Sequence, residues 1–417
     1  MNAPAPARAE PDPSGSTARQ WLSVAVLVLS TFVVVTSEML PVGVLTPMAD
    51  GLDIAPGTAG FSLTITGLVT AVTAPLVPRL LGDLDRRAVV AAAMVVLAAG
   101  NALTAVAPGF TVLVVSRVVL GLAMGVVWSL ASVVAPRLVA PRHAALAISF
   151  AVSGVAAASV IGVPLGTIVG DAFGWRSAFG ALAASSLVLT ACLRFALPPL
   201  PKPAAGATAA RTAGRPLLRT PAVVSGLVVV VFLVTAHFAA YTYIRPVLEQ
   251  GAGFSPPVIA AVLLAYGVAG LVGNFAAGAT AARRSRATVL GLAAGIAASI
   301  TALALFGTAA AVVVAGTVLW GLAYGGLSVG GQIWMTQAGK GREEHVTGLY
   351  VGVFTASIAL GALLGGTVFE AAGPTPLLWT AAALALVALA AGALGPGPTP
   401  TPSRQRDDTA QTSEKTR

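Results

Sequence analysis

Glu38 is the one acidic residue well inside a long apolar stretch, Ser37-Glu38-Met39-Leu40-Pro41-Val42-Gly43. Arg117 is equally isolated in Arg117-Val118-Val119-Leu120-Gly121. Ionisable groups in such surroundings are costly and mark ion or proton pathways. Burial disfavours a carboxylate, which brings both uptake and release of a proton within reach of Glu38. Its chemistry is therefore proton or cation carrying; the plainer reading is a permanently paired structural acid. Arg117 should face a protein interior and find a partner there. Pro41, three residues after Glu38, frees backbone groups that can line a cavity. The second chemistry is aromatic. His237 and Tyr241 are one helical turn apart, as are Trp320 and Tyr324, so each pair shares a face. Such rings can stack on a ligand, and their polar atoms can hydrogen-bond to it.

These residues need elements to position them. Of 417 residues, 56% are hydrophobic and 9% charged. A soluble domain carries about 25% charged residues, so a soluble enzyme is excluded. The apolar runs are about 20 residues long, the span of a bilayer core. Twelve spanning helices are expected, at about 21–45, 59–81, 88–107, 110–135, 144–170, 175–197, 222–248, 256–281, 288–307, 309–335, 344–370 and 374–395. The runs are contiguous rather than alternating, which argues helices over barrel strands. The 46 glycines indicate close helix packing.

With a cytoplasmic N-terminus, the inner segments are 1–20, 79–87, 136–143, 194–221, 282–287, 336–344 and 396–417. They hold 21 of the 24 Lys and Arg residues. That bias places both termini in the cytoplasm and the chain in the cytoplasmic membrane. The net charge of +9 is thus a topology signal, and no nucleic-acid partner is implied. Residues 1–20 and 396–417 are expected to be disordered tails. A linker at 198–221 divides bundle 21–197 from bundle 222–395. Six spans on each side, with Asp85-Arg86-Arg87 echoed by Arg283-Arg284-Ser285-Arg286, suggest a duplicated transporter.

Several segments together resemble the major facilitator superfamily, and within it the twelve-span drug/proton antiporter group. Arg117 through Gly121 resembles its R-x-x-q-G motif, with Leu120 at the usual polar position. Gly154, Gly162-Val163-Pro164-Leu165-Gly166 and Gly170 resemble the glycine-rich fifth-span motif of exporters. The turn between spans 2 and 3 departs from the group: Gly82 stands where an Asp is usual and Asp85 at a Gly, while Arg86 and Arg87 match. A charge latch there is in question, and plain anchoring of basic residues is the alternative. Glu38 through Met48 and the aromatic ending Tyr241-Thr242-Tyr243-Ile244-Arg245 are most similar to nucleoside-exporting members, then to sugar exporters.

This resemblance implies an all-α membrane protein of two pseudo-symmetric six-helix bundles, the major facilitator fold. It implies proton-coupled export of a small molecule, with purine nucleosides or analogues first and multidrug, antibiotic or sugar efflux as alternatives. Glu38 and Arg117 would couple protons. Spans 1, 4, 7 and 10 would line the cavity, offering Trp128, His237, Tyr241, Trp320, Tyr324 and Gln332 to substrate. Pro41, Asp85, Arg86, Arg87, Gly121, Gly154, Gly162, Pro164, Gly166 and Arg245 would serve conformation. No catalytic constellation, phosphate loop or metal-ligand spacing is read, so no enzyme, cofactor or metal is expected. The energy source would be the proton gradient; the partners would be protons, lipid and substrate, and the chain would act as a monomer.

Overall fold

The computed structural model describes residues 16–200, 217–340 and 342–398. The expected tails and linker fall largely outside these residues. Thr17 opens span 1 with a capping box, exchanging hydrogen bonds with Gln20. Asp53, at φ 53°, closes it. Span 1 therefore runs Ala18–Leu52, longer at both ends than its apolar core suggested. Spans 2, 3 and 4 are Pro56–Leu80, Arg86–Ala105 and Phe110–Val134. Span 5 is Ala144–Ala157, a π-helical turn Ala158–Gly162, and Val163–Phe173. Span 6 is Trp175–Ala196. Span 7 is Pro221–Tyr241 and resumes as Ile244–Gln250. Span 10 is Ala310–Gly325 continued by Leu327–Ala338; spans 11 and 12 are Glu343–Ala372 and Pro374–Leu394.

Spans 8 and 9 differ from expectation. They form one helical run, Pro256–Phe306, broken only at Arg284 (φ −141°, ψ 57°). The expected connecting loop at 282–287 is a single-residue kink. The reason is local: Ala279 through Leu290 contains neither Gly nor Pro, so nothing ends the helix before the chain must reverse.

The chain is thus two bundles of six spans, with both described ends on one side, called here the termini side. The halves repeat each other in detail. The turns from span 5 to 6 and from span 11 to 12 each use a glycine at φ 84°, Gly174 and Gly373, a conformation side-chain-bearing residues rarely adopt. Spans 1 and 7 break alike, at Val44 (φ −120°, ψ 21°) and Tyr243 (φ −107°, ψ 18°). Each break lies three residues before a proline, Pro47 or Pro246, whose ring clashes with the carbonyl four residues back.

Small residues bring the helices close. A Cβ on Gly154, Gly162 or Gly166 of span 5 would run into Thr31, Thr36 or Leu40 of span 1. The Gly121 position of span 4 is packed likewise on Thr66 and Val69 of span 2. Between the bundles, span 2 packs on span 11, the second half of span 5 on span 8, and the end of span 1 on that of span 7.

Candidate functional site

Glu38 is 8% exposed in the middle of span 1. Among the described residues it has no hydrogen-bond or ion-pair partner, and it lies within electrostatic reach of Tyr324 in the other bundle. Arg117 is fully buried but does not pair with Glu38. Its Nη1 donates to the Ser37 carbonyl at 3.3 Å, and its guanidinium lies 5.0 Å from the Phe179 ring centroid. Its Nε and Nη2 have no hydrogen-bond partner among the described residues. The acceptor has a local cause. Pro41 has no N–H to offer the carbonyl four residues back, which is that of Ser37. Asn101 of span 3 donates to the Ser37 hydroxyl at 2.9 Å, completing a polar knot behind Glu38.

Across the bundle interface lies an aromatic cluster. Tyr324, His237 and Tyr241 form a column: His237 stacks on Tyr324 with centroids 3.4 Å apart at 5°, and on Tyr241 at 5.0 Å and 20°. Tyr266 extends it, 4.8 Å from Tyr241 at 24°. Trp320 stands edge-on to His237, Tyr241 and Tyr266, and Phe238 edge-on to His237 and Tyr324. Among the described residues, both His237 nitrogens, the Tyr266 hydroxyl and the Trp320 Nε1 are buried without a hydrogen-bond partner. Tyr266 and Phe238 were not expected here. Span 8 was not counted among the lining spans, yet a mid-span Tyr carries the same signal that singled out Tyr324.

Two expected contacts lie elsewhere. Trp128 is 38% exposed on span 4 and makes no ring contact with the cluster. Gln332 donates to Thr347 of span 11 at 2.7 Å. The bundles are tied at the end opposite the termini, and Arg245 of span 7 is the centre of the tie. It is 3% exposed, and it donates to Asp171 of span 5 and to Glu249, both at 2.8 Å, and to the Gly43 carbonyl at 2.6 Å. Gly43 lies four residues before Pro47, so this acceptor too is one that a proline set free. Thr46 donates to Glu249, Thr58 to Glu370, and Tyr243 to the carbonyls of Gly57 and Ala362.

The sequence profile of the Major Facilitator Superfamily matches residues 27–350 and, in an overlapping second match, 246–416. The chain belongs to the major facilitator superfamily. It is therefore a multi-pass membrane protein of a family that transports small molecules and is not a family of enzymes. Relatives include the purine ribonucleoside efflux pump NepI of Escherichia coli O1:K1, 31% identical over 377 residues, or 88% of this chain and 92% of the relative. NepI of Shigella sonnei is 31% identical over 378 residues, with the same shares. A crystal structure of a bacterial homologue of the human lysosomal transporter Spinster, inward-facing and occupied, matches with a TM-score of 0.71 at 12% identity. It covers 91% of this chain and 96% of the other.

Set against the superfamily pattern, the turn between spans 2 and 3 is an intra-bundle clasp. Asp85 caps span 3 by accepting from the Arg87 N–H and accepts from the Leu200 N–H beyond span 6. Arg86 donates to the carbonyls of Gly82 and Leu84, and Arg87 to those of Arg194 and Leu197. All these acceptors belong to the first bundle. In span 4, Leu120, at the motif's polar position, fills the space beside Gly100. Pro164 is the second residue of Val163–Phe173, the helix that follows the π turn of span 5.

Proposed function

We propose that the protein is a proton-coupled exporter of purine nucleosides or their analogues in the cytoplasmic membrane, with both termini in the cytoplasm. The observation that carries this reading is the placement of Glu38: a carboxyl buried in the middle of span 1 with no hydrogen-bond or ion-pair partner among the described residues. An unpaired carboxylate at that depth is expensive, so it is neutralised by a proton or by rearrangement toward a cation. The Nε and Nη2 of Arg117, unpartnered among the described residues and beside Ser37, offer the charged form such a neighbour. Stacked rings suit the base, and the likeness to NepI supports the substrate class and the outward direction. The basic termini side orients the chain.

In the proposed cycle the bundles rock about the midplane. Protons enter from outside and neutralise Glu38, with Arg117 assisting. Substrate is taken from the cytoplasm onto the aromatic face and released outside, and the proton leaves inward. The test is nucleoside accumulation in inverted vesicles under an imposed pH gradient. Wild type accumulates substrate against its gradient; Glu38→Gln equilibrates at most. Uphill transport by Glu38→Gln at the wild-type rate would sink the coupling assignment.

A further inference from the structure

We propose that the Tyr324–His237–Tyr241 column is a self-filled slot for a planar nitrogen heterocycle, in which the His237 imidazole occupies the place of the ligand ring until that ring displaces it. The proposal deepens the nucleoside reading and rests on it for the substrate class. Three observations carry it. First, the imidazole is a planar five-membered nitrogen ring held face to face with Tyr324 at 3.4 Å and 5°, the separation of stacked bases, with Tyr241 on its other face. Second, among the described residues its ring nitrogens are buried without partners, as are the Oη of Tyr266 and the Nε1 of Trp320, whose rings lie 6.5 and 5.4 Å from the imidazole. Buried polar groups are normally satisfied. Once the imidazole is displaced, a phenol and an indole together still supply donors and an acceptor, the mixed edge that a heterocyclic base matches. Third, the ring faces are covered by one another and Trp320 and Phe238 close the sides edge-on. A cation-binding cage needs open ring faces around a point. A parallel column admits only another plane.

Tyr266 and Trp320 accordingly read the edge of the ligand ring, and Tyr324 takes its face, on the side toward Glu38. Span 7 carries the displaced His237 away from Tyr324, and the same span ends at Arg245 and the far-end tie.

The experiment measures binding of radiolabelled adenosine, of adenine and of tetraphenylphosphonium to the purified full-length protein in lipid nanodiscs, with wild type, Tyr324→Leu, Tyr324→Phe and His237→Ala compared. Thermal unfolding of each variant confirms folding. Adenosine and adenine should bind about 10- to 100-fold more weakly to Tyr324→Leu, from loss of one stacking face, and near normally to Tyr324→Phe. His237→Ala should bind them several-fold more tightly, because no resident ring must be displaced. Weaker binding to His237→Ala, or unchanged binding to Tyr324→Leu, overturns the slot while leaving nucleoside export standing. If adenosine fails to bind wild type but adenine binds in a Tyr324-dependent way, the nucleoside reading falls and the slot stands. Binding of tetraphenylphosphonium alone overturns both.

Discussion

Removing Arg245 should open the end opposite the termini, and the size of the effect follows from its contacts. The guanidinium side chain is 4% exposed and meets Asp171 and Glu249, whose side chains are 20% and 23% exposed. It also holds the Gly43 carbonyl. Removing one member of a fully buried pair costs about 3–5 kcal/mol. The half-wet carboxylates reduce that, and Glu249 is on the same helix as Arg245, so its bond survives opening. What closure alone gains is the Asp171 pair and the Gly43 bond, together about 2–3 kcal/mol. Arg245→Ala should therefore shift the closed-to-open ratio of this end by about 100-fold, at 1.4 kcal/mol per tenfold. Asp171→Asn keeps a hydrogen-bond acceptor and loses the charge, about 1 kcal/mol or fivefold. The assay is electron–electron distance measurement between spin labels at Ala55→Cys and Ser255→Cys, in a chain whose single Cys192 is replaced, in nanodiscs. Both label sites are exposed, one on each bundle. Arg176→Ala is the control, because Arg176 binds the carbonyls of Gly51 and Ala107 in its own bundle. A distance distribution unmoved by Arg245→Ala and Asp171→Asn, or moved as much by Arg176→Ala, would refute the latch.

Pro47→Ala restores an N–H for the Gly43 carbonyl, which should compete with Arg245 and raise the open fraction of the same label pair by about fivefold, one hydrogen bond's worth. Asp85→Ala should lower thermal stability by about 1–2 kcal/mol through loss of the span 3 cap, with no change in the far-end distances, since its bonds stay within one bundle. Gly154→Val should lower the detergent melting temperature or abolish folding, because its side chain would meet the Val28 carbonyl as well as Thr31; overpacking of this kind costs about 1–3 kcal/mol or more.

The elements were readable because hydrocarbon dictates them. An apolar run of bilayer length has few alternatives, and the charges sort to its ends. The errors arise where that logic is silent. Arg283 through Arg286 read as a loop by charge, yet local helix propensity kept all but Arg284 helical. Glu38 was found because a carboxyl in a span is conspicuous. The interior partner expected for Arg117 is a backbone carbonyl, which no side-chain pattern announces. His237, Tyr241, Trp320 and Tyr324 did converge, since one-turn spacing fixes a shared face. Trp128 and Gln332 lay on lining spans but point elsewhere, because the rotation of a helix about its axis is set by packing with its neighbours. Asp171 and Arg245, 74 residues apart, meet only through the docking of two bundles.

The two prolines of span 1 have a consequence for how this architecture is inherited. The acceptors at Ser37 and Gly43 are main-chain atoms, identical in every residue, so neither of these two bonds is written in an acceptor side chain. What specifies each acceptor is an imino acid four positions further on. In diverging copies of this chain, Arg117 should therefore change in step with Pro41, and Arg245 with Pro47 as well as with Asp171 and Glu249. A lineage that loses Pro41 loses the anchor of Arg117 without altering a single charge.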